Sequence, residues 1–159
     1  MNTLFDISSL LVMPFWALLV FAPTWRITKR IISITLPWIV IPASLLHAVL
    51  LVPDVLSVWT TVSNPDLASI QALLATPAGA TLAWVHFLAF DLFVGRWVYL
   101  DSRRLQLSPW LVSPALALIL LFGPLGLLVY LALRAVILKT QAHSKPYHLE
   151  PPHLPEVPS

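Results

Sequence analysis

His86, Asp91 and Arg96 stand inside an otherwise apolar run, Trp84-Val-His86-Phe-Leu-Ala-Phe-Asp91-Leu-Phe-Val-Gly95-Arg96-Trp97-Val-Tyr99-Leu-Asp101. An ionisable group at mid-depth in hydrocarbon costs about 2.5–3.5 kcal/mol even on the lenient insertion scale. A chain tolerates that where the group faces a bundle interior, a water pocket or a bound molecule. A fourth polar group, His47, lies in a separate apolar stretch between Pro37 and Pro53. A carboxyl and an imidazole around one hollow can move protons. Two imidazoles joined by Asp54 or Asp91 could hold a divalent metal, or alone could ligate a haem axially. The plainest alternative is an interhelical hydrogen bond, typically worth about 0.6 kcal/mol.

Those groups need elements to carry them, and the composition says which. Of 159 residues 58% are hydrophobic and 10% charged, against about 25% charged in ordinary soluble domains. Such a chain needs lipid around it. There is no cysteine, which excludes disulfides, thiolate metal sites and cysteine nucleophiles. The net charge of +2 gives no case for nucleic acid.

Four stretches have the 17–25 residues that a crossing takes: Leu4–Phe21, Ile31–Val52, Ala80–Leu100 and Trp110–Leu133. The expected fold is therefore all-α, an integral membrane four-helix bundle occupying residues 1–139. Between the second and third stretches, Asn64-Pro65-Asp66 reads as an N-cap, a first-turn proline and a dipole-friendly acid. Leu67, Ile70 and Leu74 then share one face of a short interfacial helix, stopped by Pro77. Residues 140–159 form a tail in which Pro146, Pro151, Pro152, Pro155 and Pro158 disfavour order. His143, His148 and His153 recur there as a weak metal-tail pattern. The start, Met1-Asn2-Thr3-Leu4-Phe5-Asp6, lacks a basic n-region and a small-residue cleavage site, so neither a signal peptide nor a transit peptide is expected.

Arg26, Lys29, Arg30, Arg103 and Arg104 place the first and third connections on the cytoplasmic or stromal side. Both termini would then be non-cytoplasmic, against which Arg134, Lys139 and Lys145 argue. Trp25, Trp38, Trp59, Trp97 and Trp110 fall near the proposed interfaces, as an aromatic belt would.

With the second stretch running outward and the third inward, depths can be compared. His47 precedes Pro53 by six residues and His86 follows Ala80 by six, so each sits about 9 Å below the same end. Asp54 would cap that end, and Asp91 lies about 7–8 Å deeper than His86. Steps of five residues turn about 140° around a helix, so His86, Asp91 and Arg96 cannot all face one pocket. Arg96 lies where it can snorkel to the inner surface, whereas Asp91 is too short to reach either surface. Trp84 serves the belt or walls a pocket for a planar ligand.

The run 84–101 resembles the signature of the neoxanthin-synthase family, the abscisic-acid-deficient type of plants and its bacterial relatives. Phe122-Gly123-Pro124-Leu-Gly126-Leu-Leu-Val-Tyr130-Leu-Ala-Leu-Arg134 is similar to that family's last span, and residues 37–54 fit its second in character. The resemblance covers about residues 4–134. It implies a four-helix membrane protein linked to carotenoid metabolism, whose plant members are associated with converting the epoxide violaxanthin to the allene neoxanthin. That isomerisation needs no net oxidant: a proton reaches the epoxide oxygen while another leaves the neighbouring polyene carbon. Without a transit peptide, the resemblance points to a bacterial or cyanobacterial member, in a plasma or thylakoid-type membrane.

Depth matching, within that context, assigns His86 and Asp91 as the acid–base centre, with His47 as the partner from the second stretch. Trp84, Asp54 and Arg96 are the expected substrate contacts. The expected partners are membrane lipid and a carotenoid or other apolar polyene. No cofactor is expected, with haem or a divalent metal at His47 and His86 as the open alternative. A non-enzymatic pigment- or lipid-binding protein is the other class in play. A small multidrug-type exporter is disfavoured, because the first stretch has no central acid.

Overall fold

The computed structural model describes residues 1–34 and 37–143, and among them every regular element is helical. The helices are α1 (Asn2–Phe21), α2 (Arg26–Ile32), α3 (Ile41–Leu51), α4 (Val55–Ser63), α5 (Leu67–Ala75), α6 (Pro77–Arg104), α7 (Pro109–Phe122) and α8 (Pro124–His143), with short 3-10 turns at Trp38–Val40 and Val52–Asp54. Four helical segments are long and apolar enough to cross a membrane: Asn2–Phe21, Trp38–Ser63, Pro77–Arg104 and Pro124–Gln141. The prolines of the expected tail, together with His148 and His153, lie outside the described residues.

The 28-residue α6 is the central staff, about 42 Å long. Its buried face repeats at helical spacing through Val85, Leu88, Ala89, Leu92, Gly95, Val98, Tyr99 and Ser102. α1 runs parallel to it. Phe5 stacks on Trp84 (5.3 Å between centroids), Trp84 Nε1 donates to Ser9 Oγ (3.2 Å), and Tyr99 Oη donates to the Pro23 carbonyl (2.9 Å). The two helices touch at Gly95, where an added Cβ would lie 2.6 Å from the fully buried Trp16 ring.

The second membrane segment differs from the expected Ile31–Val52. Ile31 belongs to α2, the segment begins at Trp38, and it runs on through Ser63. Pro53 does not stop it, because this proline falls in the opening turn of the 3-10 step Val52–Asp54, where a missing N–H costs nothing. Trp38 Nε1 donates to the Ile31 carbonyl (3.1 Å), and Phe15 meets the Trp38 ring edge-on. These contacts fix the foot of α3 to α1 and α2.

The short helix between the second and third segments is present as α5. Its N-cap is Asp66 rather than Asn64: the carboxylate accepts from Ser69 N (3.0 Å) and from the Ser69 hydroxyl. Those bonds hold the Asp66 carboxyl below the usual range. The half-buried residues are Ser69, Ile70 and Leu73, while Leu67 is 75% and Leu74 45% exposed. The packing face is thus turned from the one expected, because Gly79 lets the end of α5 close onto α6; an added Cβ there would meet the Leu73 carbonyl at 2.0 Å.

The largest departure concerns the expected fourth crossing, Trp110–Leu133. The 14 residues of α7 span about 21 Å, short of the roughly 30 Å hydrocarbon core. At Gly123 (φ 39°) the chain reverses. Gly126 packs so tightly on α7 that an added Cβ would lie 2.2 Å from Ile119 N. Gly123 lies against Asp91, yet further along the same helix Tyr130 Oη (2.6 Å) and Arg134 Nε (2.7 Å) both donate to Asp101. Asp101 is about 15 Å further down α6 than Asp91. α8 therefore returns along α7 to the end from which α7 set out.

The described residues accordingly form three long helical segments and an α7–α8 hairpin that turns beside Asp91. Met1 borders Pro77 and Ala80, whereas α8 ends beyond Asp101, so the described termini lie at opposite ends. Arg26, Lys29, Arg30, Arg103, Arg104, Arg134 and Lys139 then collect at one end, which removes the conflict over Arg134 and Lys139.

The absence of cysteine makes this geometry easy to check. In membranes, Ser108→Cys and Thr140→Cys are expected to react with an impermeant maleimide from one side, and Asn64→Cys from the other. Thr140→Cys labelled together with Asn64→Cys would overturn the hairpin.

Candidate functional site

α3 and α6 run antiparallel, and they bring the two spanning histidines together as the depth comparison expected. The His47 and His86 rings are 5.3 Å apart between centroids, tilted by 56°. His86 also stacks on Phe90, one turn along α6 (4.6 Å, 25°). No hydrogen bond joins the two imidazoles; His47 Nδ1 is buried without a partner. Among the described residues no group of three or more His, Cys, Asp or Glu could hold a metal ion. Two imidazoles in ring contact fall short of the three- or four-donor set that a metal centre uses.

His86 borders a second feature, a recess of about 530 Å³ between α6 and the tip of the α7–α8 hairpin. Trp84, Phe87, Asp91 and Val94 supply its α6 wall, and Leu120 to Pro124 with Leu127 form the opposite one. Its lining side chains are apolar apart from His86, Asp91 and Trp84, whose ring nitrogen is engaged by Ser9 of α1. Asp91 and His86 are five residues apart, so they enter it from different azimuths. The recess reaches both because α7 stops at Phe122 and leaves the surface of α6 uncovered above the turn.

Asp91 is half-buried, and its carboxyl makes no hydrogen bond or ion pair among the described residues. It sits beside Gly123, where an added Cβ would lie 2.8 Å from Oδ1. Pro124 opens α8 immediately after, so the carboxyl lies near the positive end of that helix dipole. Glycine is required at this turn twice over: for its positive φ and for the space that the carboxyl occupies.

Of the other expected contacts, Trp84 lines the recess and also ties α6 to α1. Arg96 does not reach it. Its guanidinium donates to the Ile34 carbonyl (2.5 Å), fastening α6 to the segment after α2. Asp54 is exposed in the 3-10 turn, about 10 Å along the helix axis from His47.

The expected site omitted a cluster that sets its geometry. Asp101, with 13% of its side chain exposed, accepts from both Tyr130 and Arg134. This latch holds α8 against α6 and so fixes the hairpin tip next to Asp91. The spacing of Tyr130 and Arg134, one helical turn apart, was the available signal. Phe90 and Gly123 were also missed as parts of the site.

A family model described as ABA DEFICIENT 4-like matches residues 3–130. The chain is also similar to Protein ABA DEFICIENT 4, chloroplastic, of Arabidopsis thaliana, at 27% identity over 140 residues. That match covers 86% of this chain and 62% of the relative, so the chain spans less than two thirds of the relative's length. No solved structure matches. The matched region contains His47, Asp54, Trp84, His86, Asp91, Arg96, Asp101, Gly123 and Tyr130.

Proposed function

The chain belongs to the ABA DEFICIENT 4-like family, and from that membership we propose that it is an integral membrane enzyme of carotenoid metabolism, rearranging an epoxy-xanthophyll end group by acid–base chemistry. The observation that carries this reading is that His86 and Asp91 border one otherwise apolar recess of about 530 Å³ beside the hairpin turn. An apolar cleft with a few convergent polar groups suits a ligand that is mostly hydrocarbon and enters by an oxygenated end group.

The end group enters from the lipid, with its epoxide toward Asp91. Asp91 gives a proton to the epoxide oxygen, and the carbon–oxygen bond on the polyene side opens to leave a hydroxyl. His86 takes the proton lost from the adjacent polyene carbon, whose C–H electrons form the second double bond of the allene. One proton is added and one removed, so substrate and product are isomers and no oxidant is consumed. His47 positions the His86 ring through their contact, and Trp84 walls the ring end. Asp54 and Arg96 take no part in this step. The basic end of the bundle faces the cytosol or stroma, following the usual bias of Lys and Arg.

The test is expression in bacteria that accumulate epoxy-xanthophylls, with pigments resolved by chromatography. The expected result is a new pigment isomeric with the supplied one, absent with His86→Ala. Identical profiles for wild type and His86→Ala, with the protein in the membrane, would overturn the isomerase. A second reading, non-catalytic pigment binding, draws on the exposure of His86 on the bundle surface. It predicts co-purifying pigment without turnover.

A further inference from the structure

Phe90 separates the recess of His86 and Asp91 from a second hollow of about 350 Å³ between α3 and α6. The second hollow is lined by Pro37, Val40, Ile41 and Ser44 on one side and by Ala89, Phe90 and Phe93 on the other. Ser44 is the sole polar side chain in that lining. We infer that the two hollows are halves of one site: the oxygenated ring of the ligand lies beside Asp91, and its conjugated chain passes over Phe90 into the α3–α6 groove. This rests on the carotenoid reading above and says which residues hold the part of the ligand that does not react.

Three observations favour a rigid polyene over a lipid acyl chain as the occupant. First, the groove is preformed. Ser44 and Ala89 are small where α3 and α6 face each other, and the foot of α3 is pinned by the bond from Trp38 to the Ile31 carbonyl and by the Phe15 contact. A flexible acyl chain moulds itself to any apolar surface and needs no groove, whereas a stiff rod loses contact wherever the surface does not match it. Second, His86 and Phe90 are stacked and Phe93 follows one turn on, so the path offers ring faces, which favour offset contact with another flat π system. Third, Phe90 lines both the groove and the pocket that holds the carboxyl, so the two hollows adjoin across one ring. A molecule with an oxygenated end group on a long apolar body meets the carboxyl in one hollow and apolar walls in the other.

The groove can be altered without touching His86 or Asp91. Ser44→Phe fills it, and Phe93→Ala removes one wall. Protein purified in mild detergent from epoxy-xanthophyll-producing bacteria is read for pigment-to-protein ratio and for visible circular dichroism, the signature of a polyene held in a chiral site. Wild type is expected to retain pigment with an induced signal. Each variant is expected to lose about tenfold in retained pigment, the size of one good aromatic contact, and to lose the induced signal. Both should remain monodisperse; if Ser44→Phe aggregates, Phe93→Ala decides. Variants that hold as much pigment as wild type, with the same dichroism, would overturn the two-part site while leaving the carotenoid reading intact. Wild type that neither holds nor converts pigment would sink that reading and this inference with it.

Discussion

An Asp91→Asn variant is expected to lose conversion by about 10²–10⁴-fold, the usual worth of a positioned general acid, while unfolding no more easily than wild type. The two halves of this expectation have different origins. Asparagine keeps the shape and polarity of the side chain but has no transferable proton. Asp91 makes no hydrogen bond or ion pair with the described residues, so the substitution breaks no stabilising contact. It removes the cost of holding an ionisable group at membrane depth instead. A carboxyl present only as a structural hydrogen-bonding group would behave in the opposite way, with activity near wild type and stability changed. Pigment conversion per unit protein and thermal unfolding in detergent, measured on one preparation, separate the cases. Retention of conversion within about tenfold would remove Asp91 as the acid.

The largest loss of stability is expected at Gly126. An added Cβ would lie 2.2 Å from Ile119 N and 2.5 Å from the Leu118 carbonyl carbon. Both are backbone atoms of α7, and neither can swing aside as a side-chain tip would. Gly126→Ala therefore has to part the two helices of the hairpin. Overpacking typically costs about 1–3 kcal/mol and occasionally more; with backbone on both sides, about 3 kcal/mol or above is expected. The same separation moves the hairpin tip off Asp91 and strains the bonds of Tyr130 and Arg134 to Asp101. Unfolding midpoints in detergent should fall sharply, and conversion should fall with them. A midpoint within experimental error of wild type would mean that α7 and α8 do not pack as antiparallel neighbours.

Gly123 and Asp101 mark where the sequence stops being informative. Trp110–Leu133 has the length and apolarity of a crossing, and Gly123-Pro124-Leu125-Gly126 was visible as a break. A kink that lets a helix continue and a turn that sends it back use the same residues. The reversal is decided by partners 33 residues apart, Asp101 with Arg134, and by two glycines whose missing side chains allow close approach. Pro53 shows the converse, a proline that looks like a terminus and lies harmlessly in the first turn of the next helical step.

The linear sequence was sufficient to establish an apolar chain built of helices long enough to cross a bilayer, with His47 and His86 at similar heights in adjacent helices, because hydropathy and rise per residue depend on local order along the chain. Tertiary structure alone decided which of the polar groups share a hollow. It placed Asp91 with His86, sent Arg96 to the Ile34 carbonyl and left Asp54 outside, and it turned the last apolar stretch back on itself. Azimuth, tilt and direction of travel arise from contacts between segments distant in sequence, and no local pattern encodes them.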